Sequence, residues 1–426
     1  MSDIIEKNDA PEPSEASQVA AFGGEATEAA AVEVPAYMPR PTLGQLLRGD
    51  LGFVPVLFTL ILVMIYFTVV TNGVFLKPEN LSNLVTQIVT FGILGLGVIM
   101  VLLLGEIDLS IASVSVFCAV VMAVLSELKH VSPLLAILAG LLAGAVVGFI
   151  NGFFVAVVRV PSFIVTLAGF IFYQGLLLNI LGNQSTLIIS NDFIDAIAGS
   201  AKSFLPDSLG IGLPAIAVLL YASSLIVSYV RRKRAGLRTM SFLQLVLRIA
   251  LTVLLVGGAV AIFESYHGVP YSAAILFGLI ALFWLIMTKT SFGRHVYAVG
   301  GSAEAARRAG INVVGIRIAC FTLCSMLAAV GGIVFASYGT AVASQVDPTL
   351  LLNAIAAAVI GGVSLFGGRG SVWAIVLGAL IIGSLVNGLA LMNQSAAVSE
   401  MVEGVVLLIA VSVDALVRRA QQRTGR

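Results

Sequence analysis

The chain has 426 residues, of which 59% are hydrophobic and 11% charged, and its mean hydropathy is +1.06. A soluble domain carries about 25% charged residues, so this chain cannot cover its own surface with polar groups and lipid must do the covering. The 23 basic and 22 acidic side chains leave a net charge of +1, which gives no electrostatic case for nucleic acid and shifts the question to where the charges sit.

Residues 1–50 are rich in Ala, Glu and Pro and carry Asp3, Glu6, Asp9, Glu12, Glu15, Glu25, Glu28 and Glu33. No basic stretch followed by an apolar core precedes Leu51, so the segment does not read as a secretory signal. Its composition predicts a disordered acidic tail acting as a solvated spacer. Apolar segments that span or nearly span a bilayer then follow near 53–71, 84–104, 109–126, 133–157, 161–181, 211–230, 242–263, 271–288, 316–338, 350–366, 371–392 and 398–417. The expected fold is an all-α polytopic membrane protein of about twelve helices, with its membrane domain over 51–417 and a basic tail over 418–426. Residues 182–210, the longest segment between spans on the outer side, could hold a small helix or be a plain connector.

Charge distribution tests this count. With the N-terminus inside, the inner loops receive Arg159, Arg231, Arg232, Lys233, Arg234, Arg238, the basic loop 288–317, Arg369, and a tail bearing Arg418, Arg419, Arg423 and Arg426. The outer loops receive Lys77, Lys129 and Lys202. This asymmetry is the positive-inside pattern, and one span more or fewer would break it. Both termini are therefore expected in the cytoplasm.

Glycines recur inside the spans, as at Gly92, Gly95 and Gly97, at Gly140, Gly144 and Gly148, and at Gly331, Gly332, Gly361, Gly362, Gly378 and Gly383. Small residues at such spacings let helix backbones approach closely. Polar groups at membrane depth are fewer. Glu106 and Asp108 sit between two apolar runs and must face a cavity, pair, cap a helix or lie at the interface. Asp108 or Ser110 could cap a helix starting at Leu109. Asn151, Gln174, Asn179, Asn353 and Asn387 are single amides within spans, suited to interhelical hydrogen bonds or to contacts with a neutral polyol. Together with Glu106 and Asp108 they are the candidate residues of a translocation pathway.

The longest polar interruption is 288–317. It carries Lys289, Arg294, Arg307, Arg308 and Arg317 against one carboxylate, Glu304. It holds a short helix candidate at 302–309, with Ser302 as N-cap and Gly310 as stop. No GxxxxGK[ST] phosphate loop occurs, and the Gly300–Ser302 turn lacks the lysine and preceding strand of one. Cys118, Cys320 and Cys324 lie in apolar runs and read as small hydrophobes, because no third or fourth ligand accompanies the Cys320/Cys324 pair. His130, His267 and His295 are placed in loops and form no cluster. No catalytic residue, metal ligand or bound cofactor is expected, and apart from Glu106 and Asp108 no intramembrane acid or histidine suggests proton coupling, so the energy for uphill transport is expected from another subunit.

Four stretches carry a resemblance: 105–110 (GEIDLS), 160–169 (VPSFIVTLAG), the loop 292–311 with FGR, YAVGG and EAARRAGI, and 359–371 with VIGGVSL and GGRGS. Together the chain resembles permease subunits of bacterial ABC importers for monosaccharides, in the ribose/xylose class, and is most similar to the xylose-type members. The resemblance covers most of the chain beyond the tail. The xylose-type members share an added basic-linked hairpin, here about 211–263; without it roughly ten spans remain, the number in the family's core. The resemblance implies a permease in the inner membrane that pairs with a second copy of itself. It also implies ATP-binding cassette subunits, with their ATP and Mg, docked on the cytoplasmic face, and a periplasmic sugar-binding protein on the other. The imported sugar is then expected to be D-xylose, with ribose, arabinose or galactose as alternatives; a proton-coupled secondary transporter is the reading from another class. It further implies that a coupling helix enters the ATPase, built here from Gly300, Gly301, Ser302, Glu304, Ala305, Ala306, Arg307, Gly310 and Ile311, with glycine joints at Gly300, Gly301 and Gly310.

Overall fold

A computed structural model describes residues 54–182, 184–199, 203–237 and 239–423. The acidic tail expected over 1–50 lies outside the described residues, as does the end of the basic tail. Helices dominate, since in lipid a helix satisfies its own backbone hydrogen bonds. In chain order they are α1 (Val54–Val70), α2 (Pro78–Leu102), α3 (Ile111–Ala123), α4 (Pro133–Phe153), α5 (Ser162–Leu181), the short α6 (Asp192–Asp195), α7 (Asp207–Arg234), α8 (Phe242–Glu264), α9 (Tyr271–Lys289), α10 (Ser291–Gly301), α11 (Ala303–Arg308), α12 (Val313–Tyr338), α13 (Pro348–Ile360), α14 (Ala374–Leu391) and α15 (Ala396–Arg423). α3 and α4 each run on through a π-turn, Val124–Leu128 and Phe154–Val158.

Local chemistry sets several boundaries. α2, α4 and α13 open on a proline, whose missing N–H costs nothing in the first turn. Asp347 caps α13 by accepting from Thr349 N–H at 2.8 Å. Ser241 and Gln244 form a reciprocal capping box at the start of α8.

α12 is the centre of the bundle and packs on α4, α2 and α3. The bundle owes its closeness to absent side chains. Along α4, Gly140, Gly144, Gly148 and Gly152 recur every four residues and present bare backbone to neighbouring helices. A Cβ on Gly148 would lie 2.5 Å from the Phe321 carbonyl and 2.6 Å from Thr322 Cα. α2 is largely buried, whereas α7 and α8 are almost wholly exposed. The hairpin 211–263 therefore sits at the periphery, with α7 and α8 packing chiefly on each other.

Among the described residues nine helices are long and apolar enough to cross a membrane, and the apolar helices Pro55–Val70 and Pro348–Ile360 are shorter. The span expected over 350–366 ends early, at Ile360, because Gly361 and Gly362 (φ +101°) turn the chain out of the helix. The all-α expectation needs one amendment. Two strands, β1 (Thr186–Ile188) and β2 (Ala341–Ala343), pair antiparallel with Leu187 opposite Val342. The segment 182–210 thus contributes a strand and the small helix α6, capped by Asn191. His295 lies within α10 rather than in a loop.

Among the described residues, loops meet in two groups. In one stand the β1–β2 ribbon, the Ser190 N–H donating to Glu127 Oε2 at 3.1 Å, and the Tyr271 N–H donating to the Ser203 carbonyl at 2.8 Å. In the other, the α2–α3 loop, the 288–317 segment and the α13–α14 loop touch one another.

Candidate functional site

The polar segment 288–317 folds as two helices rather than one. α10 is capped by Thr290, which accepts from the Gly293 N–H, and α11 follows after Ser302 alone. Ser302, extended at φ −163°, accepts from the Ala305 N–H at 3.2 Å and so caps α11. The far end closes in a Schellman motif. The Ile311 N–H donates to the Ala306 carbonyl and the Gly310 N–H to the Arg307 carbonyl, both at 3.0 Å, with Gly310 at φ +82°. The expected limits at Ser302 and Gly310 are those observed.

α11 stands out from the bundle. Ala306 is buried, and Glu304, Ala305, Arg307, Ala309 and Gly310 are exposed, with Ile311 half-buried. Arg308 pairs with Glu304 one turn earlier, a contact that stiffens a solvent-facing helix by about 0.3–0.5 kcal/mol. Two capped ends and one buried alanine make a short rigid peg.

The peg is tied to the bundle through Gly300. A Cβ there would fall 1.8 Å from the Leu103 carbonyl oxygen and 2.7 Å from the Gly368 nitrogen. At that point the Gly368 N–H donates to the Leu103 carbonyl at 2.9 Å, and the Tyr297 hydroxyl donates to the Gly370 carbonyl at 2.9 Å. Burial pushes the Tyr297 hydroxyl pKa up, favouring the protonated donor. The end of α2, the end of α10 and the α13–α14 loop therefore meet at one knot. Gly300 is a packing contact in this arrangement. Gly301 beside it has nothing within 4 Å of a Cβ position.

Of the seven membrane-depth candidates, Asp108 and Asn151 meet at Ser110, and the others lie apart from that turn. Glu106 accepts from Arg317 at 3.1 Å, joining the α2–α3 loop to the first turns of α12. Asp108 is buried, and its Oδ1 accepts from the Ser110 N–H at 2.8 Å and the Ser110 hydroxyl at 2.6 Å. The helix starts at Ile111, so Asp108 serves the turn before it and Ser110 takes the N-cap position without a side-chain capping bond. Asn151 donates to the Ser110 hydroxyl at 3.1 Å and ties α4 to this turn.

Asn387 on α14 accepts from Asn80 at 2.9 Å and donates to Gln87 at 3.3 Å, a polar ladder between α14 and α2. The sequence reading missed Asn80 and Gln87, which stand seven apart on one helix face. Asn353 is buried on α13 beside Glu403 of α15, a second partner the sequence reading did not single out. Gln174 is half-buried and Asn179 exposed on α5. Three buried amides thus link helices in three separate places, and the α5 pair stands apart. Among the described residues no group of three His, Cys, Asp or Glu side chains is placed to hold a metal.

Residues 80–411 match the profile of a family described as the permease component of the branched-chain amino acid transport system. The chain is 35% identical over 360 residues to the xylose transport system permease protein of Escherichia coli (strain K12), covering 84% of this chain and 91% of that protein. It is 35% identical over 361 residues to the protein of the same description in Haemophilus influenzae, covering 84% and 94%. It is 29% identical over 352 residues to the ribose import permease protein of Bacillus subtilis (strain 168), covering 83% and 89%. No solved structure matches significantly.

Proposed function

Because the chain belongs to the family of branched-chain amino acid transport system permease components, we propose that it is the multi-pass inner-membrane permease subunit of an ATP-driven monosaccharide importer, with D-xylose as its sugar. The observation that carries the sugar is the identity to two xylose permeases, which exceeds that to a ribose permease over nearly the same length. The chain itself is not an enzyme on this reading. ATP and Mg act on separate ATP-binding cassette subunits at the end of the bundle where α11 projects. A periplasmic sugar-binding protein meets the end that holds the β1–β2 ribbon. Two copies of the permease pair, each with about twelve spans and both termini in the cytoplasm.

The geometry supplies a route for force. α11 is short, capped and exposed, so a protein that grips it moves it as a unit. Its displacement reaches α10 directly, and α10 bears on Leu103 and Gly368 through Gly300. From there it reaches α2, the most buried helix, and the α13–α14 loop. The Arg317–Glu106 pair carries the same displacement from α12 to the α2–α3 loop.

In proteoliposomes holding the permease with its ATPase and binding-protein partners, labelled xylose is expected to accumulate, with unlabelled xylose competing better than ribose, arabinose or galactose. Uptake should cease when ATP hydrolysis is blocked and a proton gradient is kept. Failure of xylose to compete sinks the xylose assignment; uptake driven by the gradient alone would instead favour the secondary-transporter reading.

Gly310 gives a test of the coupling role. A branched side chain at φ +82° costs about 1–2 kcal/mol and opens the Schellman closure. Gly310→Val, and a bulky replacement of Glu304, should leave insertion intact while uptake per ATP hydrolysed falls about tenfold. Normal coupling in both variants would refute the placement of the coupling helix at α11.

A further inference from the structure

A cavity of about 300 Å³ opens between the turn after α4 and the start of α12, and Arg159, Arg307 and Arg317 line it with one carboxylate, Glu106. Glu106 is already bound to Arg317. Among the described residues the ion pairs are Arg317–Glu106 and Arg308–Glu304, so neither Arg159 nor Arg307 has a carboxylate partner. The Arg317 Nε is out of contact with solvent and has no acceptor. Arg159 holds its place with left-handed backbone, φ 64° and ψ 33°, at the close of the π-turn.

Three guanidinium groups around one volume, balanced by a single occupied carboxylate, make a site that lacks an anion. Guanidinium forks match the oxygens of phosphate in geometry and charge. The rest of the wall is apolar, with Val155, Ala156, Val160 and Pro161. Just outside it Val157, Val158, Phe163 and Ile164 expose their side chains. An anionic group tethered to hydrocarbon would find both its needs met here, since basic pockets between membrane helices suit lipid headgroups.

We propose that this cavity is a binding site for a phosphate-bearing anion, either the headgroup of an anionic phospholipid or a free phosphate. Occupancy would bridge Arg159, at the α4–α5 turn, to Arg307 on α11 and Arg317 on α12. The ligand would thereby fasten the exposed peg to the bundle. The site does not depend on the identity of the sugar, and the test reads binding rather than transport.

The full-length permease, purified in detergent, is titrated separately with phosphatidylglycerol, phosphatidylcholine and inorganic phosphate, with thermal unfolding and native mass spectrometry as readouts. Phosphatidylglycerol is expected to bind and stabilise where phosphatidylcholine does not. Arg159→Gln and Arg307→Gln should each weaken binding about tenfold, the loss of one charge-assisted contact. Arg159→Lys should lose less, and it remains informative if the glutamine variant fails to fold. Arg231→Gln with Arg232→Gln, on the distant hairpin, should change nothing. Saturation by inorganic phosphate with the same arginine dependence would support the site and assign it to free phosphate. Binding of both lipids equally, or wild-type affinity in Arg159→Gln and Arg307→Gln, would overturn the proposal.

Discussion

Gly300→Ala is expected to abolish uptake, while Gly301→Ala, one residue on, keeps most of it. The added methyl at Gly300 meets backbone on both sides: the Leu103 carbonyl oxygen at 1.8 Å and the Gly368 nitrogen at 2.7 Å. Neither can turn aside as a side-chain tip could. The two segments must separate, and their 2.9 Å hydrogen bond is lost with them. Overpacking of this kind costs about 1–3 kcal/mol, and stranding a buried donor and acceptor adds about as much again. That is enough to detach α10 and α11 from α2 without unfolding the membrane helices. Gly301 has open space around it, so its methyl costs nothing comparable. Membrane-inserted protein by immunoblot and labelled-sugar uptake together decide the matter. Full uptake by Gly300→Ala would show that the knot of loops is not the route by which force enters.

A larger loss of folded protein is expected from Gly148→Leu. The new side chain would start 2.5 Å from the Phe321 carbonyl, 2.6 Å from Thr322 Cα and 2.9 Å from Ser325 Cβ. α12 packs on α2 and α3 as well, so it cannot retreat from α4 without opening those contacts. A destabilisation of about 3 kcal/mol is expected, read as a lowered thermal midpoint in detergent and a reduced inserted yield. Gly175→Leu on α5 is the matched control, because nothing lies within 4 Å of its Cβ position. Equal stability of the two variants would mean that α4 and α12 are not held at backbone contact.

What was legible in the sequence was what the chain decides locally. Ser302 and Gly310 mark the ends of α11 because capping and left-handed backbone are properties of single residues. The charge asymmetry grouped Arg159, the 288–317 segment and the Arg369 loop, and these described segments do meet one another, because charge asymmetry records side rather than contact. What was not legible depends on which helix lies beside which. Gly300 and Gly301 look alike in sequence, yet only Gly300 faces two other backbones. Nothing in the sequence around Asn387 announces Asn80 and Gln87 as its hydrogen-bond partners. Glu106 and Arg317 stand far apart in the chain, and nothing in their neighbours announces the pair. The short α13 was overrun for a different reason: Val363 and Leu365 continue the apolar pattern past the glycine turn that ends the helix.

The central place of α12 also has a consequence for how the protein is made. Asp108 and Cys324, which face each other at 3.7 Å, are separated by 216 positions. At about 5–20 residues per second, synthesis of the intervening chain takes on the order of 10–40 s. α3 and α4 are made early in that interval, so for most of it α2, α3 and α4 lack the helix they close around. The glycine-lined face of α4 is then a vacancy between nascent helices, held open until α12 arrives from the second half of the chain. Completion of the bundle is therefore a late event in biogenesis, and a chain released before residue 338 lacks its centre rather than its edge.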